Sequence, residues 1–289
     1  MFPALRKHWP EYLMEAAGLG IFMISAGLFG TLLEYPESPV HQLIGDAAVR
    51  RAIMGLAMGG TAICLIYYPW GQQSGAHYNP AVTLTFLRLG KIKAVDAACY
   101  IVAQFAGGII GVLTVESLLG AMFTAPPVQY VATIPGADLT VAFFGELVIS
   151  LLLMSVVLCT SDSARWKRYT GFCAGLLVAI YITIETPLSG MSMNPARTLA
   201  SALPGRFWEH LWIYFLAPPL GMWLAVDLYR LMSREGSVPC AKLNHDTRRR
   251  CIFCGYGMAA GLGPKSSHAA DKCVTIRAIQ HPNLHSSPS

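Results

Sequence analysis

Two tripeptides hold much of the chemistry in this chain. Asn79-Pro80-Ala81 and Asn194-Pro195-Ala196 each follow a Ser-Gly turn signal and precede a short apolar run, and Arg197 stands directly after the second. Asparagine is a favoured helix N-cap and proline is favoured at the first helical position, so each triplet reads as a helix start. A helix N-terminus carries roughly half an elementary positive charge. The asparagine amide adds hydrogen-bond donors to it. This is chemistry for orienting a dipolar guest, not for breaking bonds.

Two acids and one cluster complete the reactive inventory. Glu15 and Glu146 lie inside long apolar runs. An ionised residue at the centre of a bilayer costs about 2.5–3.5 kcal/mol on insertion scales, so each acid needs partners. Near the C-terminus, Cys240, His245, Cys251 and Cys254 end in a Cys-x-x-Cys followed by Gly255. Three thiolates and an imidazole fit the tetrahedral ligand set of a structural zinc. A basic tail with incidental cysteines and a redox switch at the Cys-x-x-Cys are the competing readings. No nucleophile–base set or phosphate loop is present, which argues against an enzyme.

The elements that must position these residues are membrane helices. The chain has 289 residues, of which 54% are hydrophobic and only 13% charged, with a mean hydropathy of +0.47. Charged residues normally make up about a quarter of a soluble chain. The net charge of +5 sits beside apolar runs and in the tail, which fits membrane flanks and not nucleic-acid binding. Apolar runs over 11–33, 51–70, 94–119, 139–160, 170–188 and 207–232 are each near the ~20 residues that span a bilayer. The runs after Asn79 and Asn194 are too short to span. They fall between spans two and three and between spans five and six.

The order span, span, half-helix, span therefore occurs twice, with repeat one at about 10–120 and repeat two at about 135–232. Three crossings per repeat make the second copy inverted, so the half-helices enter from opposite faces and meet near the midplane. The fold expected is all-α and transmembrane, with six spanning helices plus two re-entrant half-helices. Residues 1–235 are expected to form the transmembrane domain and 236–289 a polar tail. Arg6, Lys7, Arg88, Lys91, Lys93, Arg165, Lys167, Arg168, Arg230 and Arg234 fall on one side, which is then cytoplasmic and holds both termini. Arg50 and Arg51 break this rule.

With two Asn-Pro-Ala boxes, the trailing Arg197, the paired Glu15 and Glu146, Gln104 in span three and six spans in this order, the chain resembles the aquaporin (major intrinsic protein) family over about residues 10–232. The resemblance implies a homotetrameric, multi-pass protein of a plasma or inner membrane. It implies a passive, cofactor-free channel for water, and for small uncharged solutes such as glycerol, urea, ammonia or hydrogen peroxide. Arg197 and the half-helix dipoles at Asn79 and Asn194 are expected to exclude protons and ions, as they do in pores of this type. Glu15 and Glu146 are expected to brace the re-entrant loops. Gln104 is expected to support them. His77 is expected to brace the first loop, face the cytoplasmic vestibule or simply pack.

The resemblance also locates a selectivity filter. It comprises Arg197 with Met191 and Ile182, counted back from Asn194, and Gly59, counted back from Asn79, or Met58 if that count shifts by one. Water-selective members usually place histidine at the position of Ile182 and an aromatic at that of Gly59. Here the filter reads wider and more apolar. Thr198, where glycerol-conducting members usually have Asp, and Tyr214-Phe215, where they usually have Pro-Leu, point back towards water. A secondary active transporter with inverted repeats is the alternative function. It requires an acidic or basic relay facing the pore.

Overall fold

The computed structural model describes residues 2–136, 138–232, 238, 240–245 and 249–256. Arg234 lies outside this set. All regular structure among the described residues is helical. Six helices are long and apolar enough to cross a membrane: α1 (Phe2–Glu34), α3 (Ala47–Tyr67), α6 (Ala94–Leu119), α8 (Leu139–Asp162), α9 (Thr170–Ser189) and α11 (Leu211–Met232). Short helices α2 (Pro39–Leu43), α4 (Pro69–Ser74) and α7 (Ala121–Thr124) lie in the connections. The two half-helices are α5 (Pro80–Arg88) and α10 (Pro195–Gly205), nine and eleven residues long. At 1.5 Å per residue they reach about half of the ~30 Å hydrocarbon core.

The second span ends earlier than its hydropathy suggests. Proline lacks the N–H needed to continue a helix and restricts the residue before it. Accordingly α3 stops at Tyr67, Tyr68 adopts an extended conformation, and α4 restarts with Pro69 at its first position. The last span begins at Leu211, after a turn in which His210 has a positive φ. Asp46 caps α3 by accepting from Ala48 N at 2.7 Å. Asp138 caps α8 in the same way at 2.8 Å from Thr140 N, and this bond holds its carboxyl below the usual carboxylate range.

Three helix pairs form the frame, and small residues set their spacing. Gly107 and Gly111 of α6 lie on the backbone of Ala16 and Gly20 of α1, and Gly221 of α11 lies on that of Leu147 in α8. Gly55 and Gly59 of α3 lie on Gly175, Ala179 and Thr183 of α9. In lipid, where apolar burial gives no drive between helices, such close backbone approach supplies the packing. A Cβ on Gly59 would stand 2.8 Å from Ala179 Cβ. Gly59→Ala is therefore expected to cost about 1–3 kcal/mol by overpacking. Thermal unfolding in detergent checks this; an unchanged midpoint would mean that α3 and α9 have room to spare.

The arginines on the face opposite the start of α1 have structural explanations. Arg50 is buried and donates to the Glu34 carboxylate and to the carbonyls of Ile44 and Gly45. It ties the α1–α3 connection together. Arg51, one residue on, lines the central cavity.

Candidate functional site

The two re-entrant loops are built alike. Before α5 the chain takes positive φ at Gly75, Ala76 and Tyr78; before α10 it does so at Gly190, Met191 and Met193. Left-handed backbone at non-glycine residues is strained and persists only where the surroundings impose it. Here the carboxylates impose it. Glu15 accepts from Ser74 Oγ (2.7 Å), His77 N (3.1 Å), Tyr78 N (2.6 Å) and Gln104 Nε2 (2.8 Å). Glu146 accepts from Ser189 Oγ (2.8 Å), Ser192 N (2.6 Å) and Met193 N (2.7 Å). Both acids are fully buried.

In a planar trans peptide the C=O points opposite to the N–H. Drawing the N–H groups of residues 77 and 78 to Glu15 therefore turns the carbonyls of Ala76 and His77 away from it, towards the cavity that these residues line. The same holds for Met191 and Ser192 in the second loop. One carboxylate thus fixes the loop and aims a ladder of acceptors.

Partners that the sequence did not disclose complete each loop. Tyr100 donates to Ser74 O at 2.7 Å, and Tyr214 donates to Ser189 O. Ser74 Oγ accepts from Ala76 N and Ser189 Oγ from Met191 N. The matching halves were visible in the triplets, but a tyrosine or serine in an apolar run carries no signal of this role. Gln104 also donates to Thr83 Oγ1 at 3.1 Å. In the second half, hydroxyls stand in its place: Ser192 Oγ meets Thr198 Oγ1, which also meets Thr133 Oγ1.

The half-helices meet through their asparagines. Asn79 Oδ1 caps α5 at Ala81 N, and Asn194 Oδ1 caps α10 at Ala196 N and Arg197 N. Each amide then reaches across: Asn79 Nδ2 donates to Met193 O at 2.7 Å and Asn194 Nδ2 to Tyr78 O at 2.8 Å. A primary amide has two N–H groups, so each asparagine keeps one donor after this exchange. Pro80, Ala81, Pro195 and Ala196 are buried behind them as the first turns of α5 and α10.

A cavity of about 440 Å³ runs past both asparagines. Arg197, Met191 and Ile182 line it, as do Met54 and Met58 of α3. Gly59, the counted filter position, does not line it. One residue turns a helix by about 100°, and Gly59 faces α9 while Met58 faces the cavity. Arg197 is held by Thr133 Oγ1 from the α7–α8 connection, a residue with no sequence motif around it. Arg51, near the start of α3, lines the cavity, and its Nε is buried without a hydrogen-bond partner.

Among the described residues no acidic relay faces this cavity. Glu15 and Glu146 are occupied by loop donors, and Glu34, which lines the mouth, is paired with Arg50. A third intramembrane acid, Glu185 of α9, escaped the sequence reading. It is buried against Gly145 of α8 with neither oxygen hydrogen-bonded, away from the cavity lining.

The family model for major intrinsic proteins matches residues 6–229. The chain belongs to this family. It is a membrane channel of the family, not an enzyme. A probable aquaporin of Arabidopsis thaliana, NIP7-1, is 34% identical over 80% of each chain. A glycerol uptake facilitator-like protein of Lactiplantibacillus plantarum is 36% identical over 63% of this chain and 85% of its own length. A putative aquaporin of Arabidopsis thaliana, NIP4-1, is 34% identical, and the match spans only 60% of each chain. The X-ray structure of an aquaglyceroporin from Plasmodium falciparum superposes with a TM-score of 0.62 at 21% identity, covering 78% of this chain and 96% of that one. That likeness carries the major intrinsic protein fold.

The face that holds the start of α1 and the end of α11 has an added feature. His77 is buried, with Nδ1 at 3.1 Å from Thr83 Oγ1 and Nε2 at 2.8 Å from Ala241 O of the tail. Its side chain thus ties the first loop to the tail. Lys242 Nζ donates to Gln72 O at 2.9 Å, and Arg250 forms a two-pronged pair with Glu11 at 2.6 and 2.7 Å. The Glu11 carboxylate raises the Arg250 pKa above its usual value. Cys240, His245, Cys251 and Cys254 come together beside these contacts, with Cys240 Sγ 3.3 Å from Cys251 Sγ and His245 Nε2 3.3 Å from Cys254 Sγ.

Proposed function

We propose that this chain is a passive pore for water that also admits small uncharged solutes, among them glycerol, urea, ammonia and hydrogen peroxide. The observation that carries this reading is the cavity that passes Arg197 and then the two asparagines at facing half-helix N-termini. A water molecule there meets donors from both sides and turns its oxygen to them, which breaks the hydrogen-bonded wire that carries protons. Arg197, with Arg51 above it, opposes cations.

The filter we assign is Met58, Ile182, Met191 and Arg197, with Met58 replacing Gly59. Three apolar walls and one donor give water little compensation for its lost hydrogen bonds, each worth about 0.5–1.5 kcal/mol net. They suit the carbon skeleton of a small polyol. The relatives, which include aquaporins and a glycerol uptake facilitator, fit this mixed reading. Ile182→His is expected to cut glycerol flux at least fivefold while keeping water flux. Vesicle swelling in a glycerol gradient measures this, and unchanged glycerol entry would remove Ile182 from the filter.

Charge supports the placement of the termini in the cytoplasm: Arg88, Lys93, Arg165, Lys167, Arg168 and Arg230 flank the ends of the spans on that face. The homotetramer rests on the family resemblance, and the division into channel domain 1–235 and tail 236–289 on the change of composition. The pore needs no cofactor, whereas the converging donors of Cys240, His245, Cys251 and Cys254 support one structural zinc in the tail. The test of the pore is osmotic shrinkage of vesicles holding the full chain, measured with zinc and after chelation. Rates no higher than those of empty vesicles in both states would sink it.

A further inference from the structure

The metal cluster and one end of the pore occupy the same place. The four donor atoms of Cys240, His245, Cys251 and Cys254 all lie within 4.8 Å of one another. Zinc–sulfur bonds of about 2.3 Å give a tetrahedron with edges of about 3.8 Å, so one ion can hold all four atoms. A disulfide would engage two sulfurs and leave the other two donors without a role. Cys240 and Cys251 are buried, as in a closed structural site. A segment this short cannot bury a core of its own, so the free energy of metal binding becomes its folding free energy.

The parts of the tail that touch the channel lie beside or between these ligands. Leu243, between Cys240 and His245, is buried, lines the end of the cavity, and donates its N–H to Gly75 O at 3.1 Å. Gly75, at φ 107°, leaves no room for a Cβ, which would stand 2.7 Å from Ala241 O. Phe253, between Cys251 and Cys254, stacks on His77 with ring centres 5.8 Å apart. Arg250, next to Cys251, grips Glu11. Ordering the ligands therefore orders the contacts.

We infer that a zinc ion folds the tail into a stopper for the cytoplasmic mouth, with Leu243 as its tip, and that losing the ion releases it. This rests on the pore and zinc readings above. An apolar side chain in the water path closes it because water entering there must give up hydrogen bonds; apolar constrictions gate channels in this way. The leucine–glycine contact further ties up Gly75 O, a carbonyl next to the acceptor ladder of the first loop. The device makes permeability depend on available zinc.

The experiment uses the full chain in liposomes under thiol reductant, with bound zinc measured by elemental analysis and water permeability by stopped-flow light scattering. The expected result is one zinc per chain and at least tenfold lower permeability loaded than after a membrane-permeant chelator. Leu243→Gly should keep its zinc yet conduct like the stripped protein, as should Arg250→Glu. Cys251→Ser should stay open at any zinc level. Equal permeability of loaded and stripped protein, with stoichiometric zinc bound, overturns the stopper and leaves the pore standing. Zinc no higher than in Cys251→Ser overturns the metal site. An absence of flux in every state, Leu243→Gly included, overturns the pore and the stopper with it.

Discussion

Replacing Arg197 by valine is expected to raise proton and alkali-cation conductance between about tenfold and a hundredfold while water still passes. A unit charge about 5 Å from a permeating cation, at an effective dielectric constant of about 20, contributes about 3 kcal/mol of repulsion. Each 1.4 kcal/mol is a factor of about ten in a rate. Arg197 lines the cavity and is held there by Thr133, so the charge is fixed in the path. Two terms remain after its loss, the half-helix N-termini at Asn79 and Asn194 and the second arginine, Arg51. They keep the leak below the full Coulomb figure. A pH-sensitive dye inside vesicles, under an imposed potassium diffusion potential, reads the proton term. A variant as tight as the parent would place the whole barrier at the asparagines.

The second large effect is expected at the buried carboxylates. In Glu146→Gln one oxygen becomes an NH₂ group facing the donors Ser189 Oγ, Ser192 N or Met193 N. A charged hydrogen bond, worth about 1.5–3 kcal/mol, is lost and a donor faces a donor. The left-handed backbone at Met191 and Met193 then loses what holds it. About 3 kcal/mol corresponds to a midpoint lowered by roughly 6–12 °C in a domain of 150–250 residues. Water flux should fall with it, because the carbonyl ladder disperses. Glu15→Gln should do the same to the first loop. Glu185→Gln is the contrast: that acid accepts no hydrogen bond from the loops and does not line the cavity, and its amide form should conduct normally. Equal behaviour of Glu146→Gln and Glu185→Gln would mean that the carboxylates do not fix the loops.

The architecture was readable because its determinants are local. A half-length apolar run after Asn-Pro announces its own cap, and six long apolar runs announce spans. The loop-bracing acids were readable because an acid inside a membrane helix demands partners. Residues whose role depends on rotation or on distant chain were not. Gly59 and Met58 are neighbours in sequence, yet one meets α9 and the other the cavity, and a count of residues cannot see which way a helix faces. Tyr100, Tyr214 and Thr133 are ordinary residues until the loop carbonyls or Arg197 are placed beside them. Arg50 defied the charge rule because its partner is Glu34, across a tight connection. The Cys/His cluster was visible in its spacing, but the seat of the tail against Gly75 and His77 joins residues far apart in sequence and left no trace in either segment.

The most direct test of the central claim is one recording on zinc-stripped vesicles holding the full chain, with osmotic shrinkage and internal pH followed together. A proton-tight water pore predicts shrinkage at least ten times faster than in empty vesicles, with internal pH holding steady under a proton gradient. Shrinkage at the empty-vesicle rate, or internal pH collapsing as the water leaves, would contradict it.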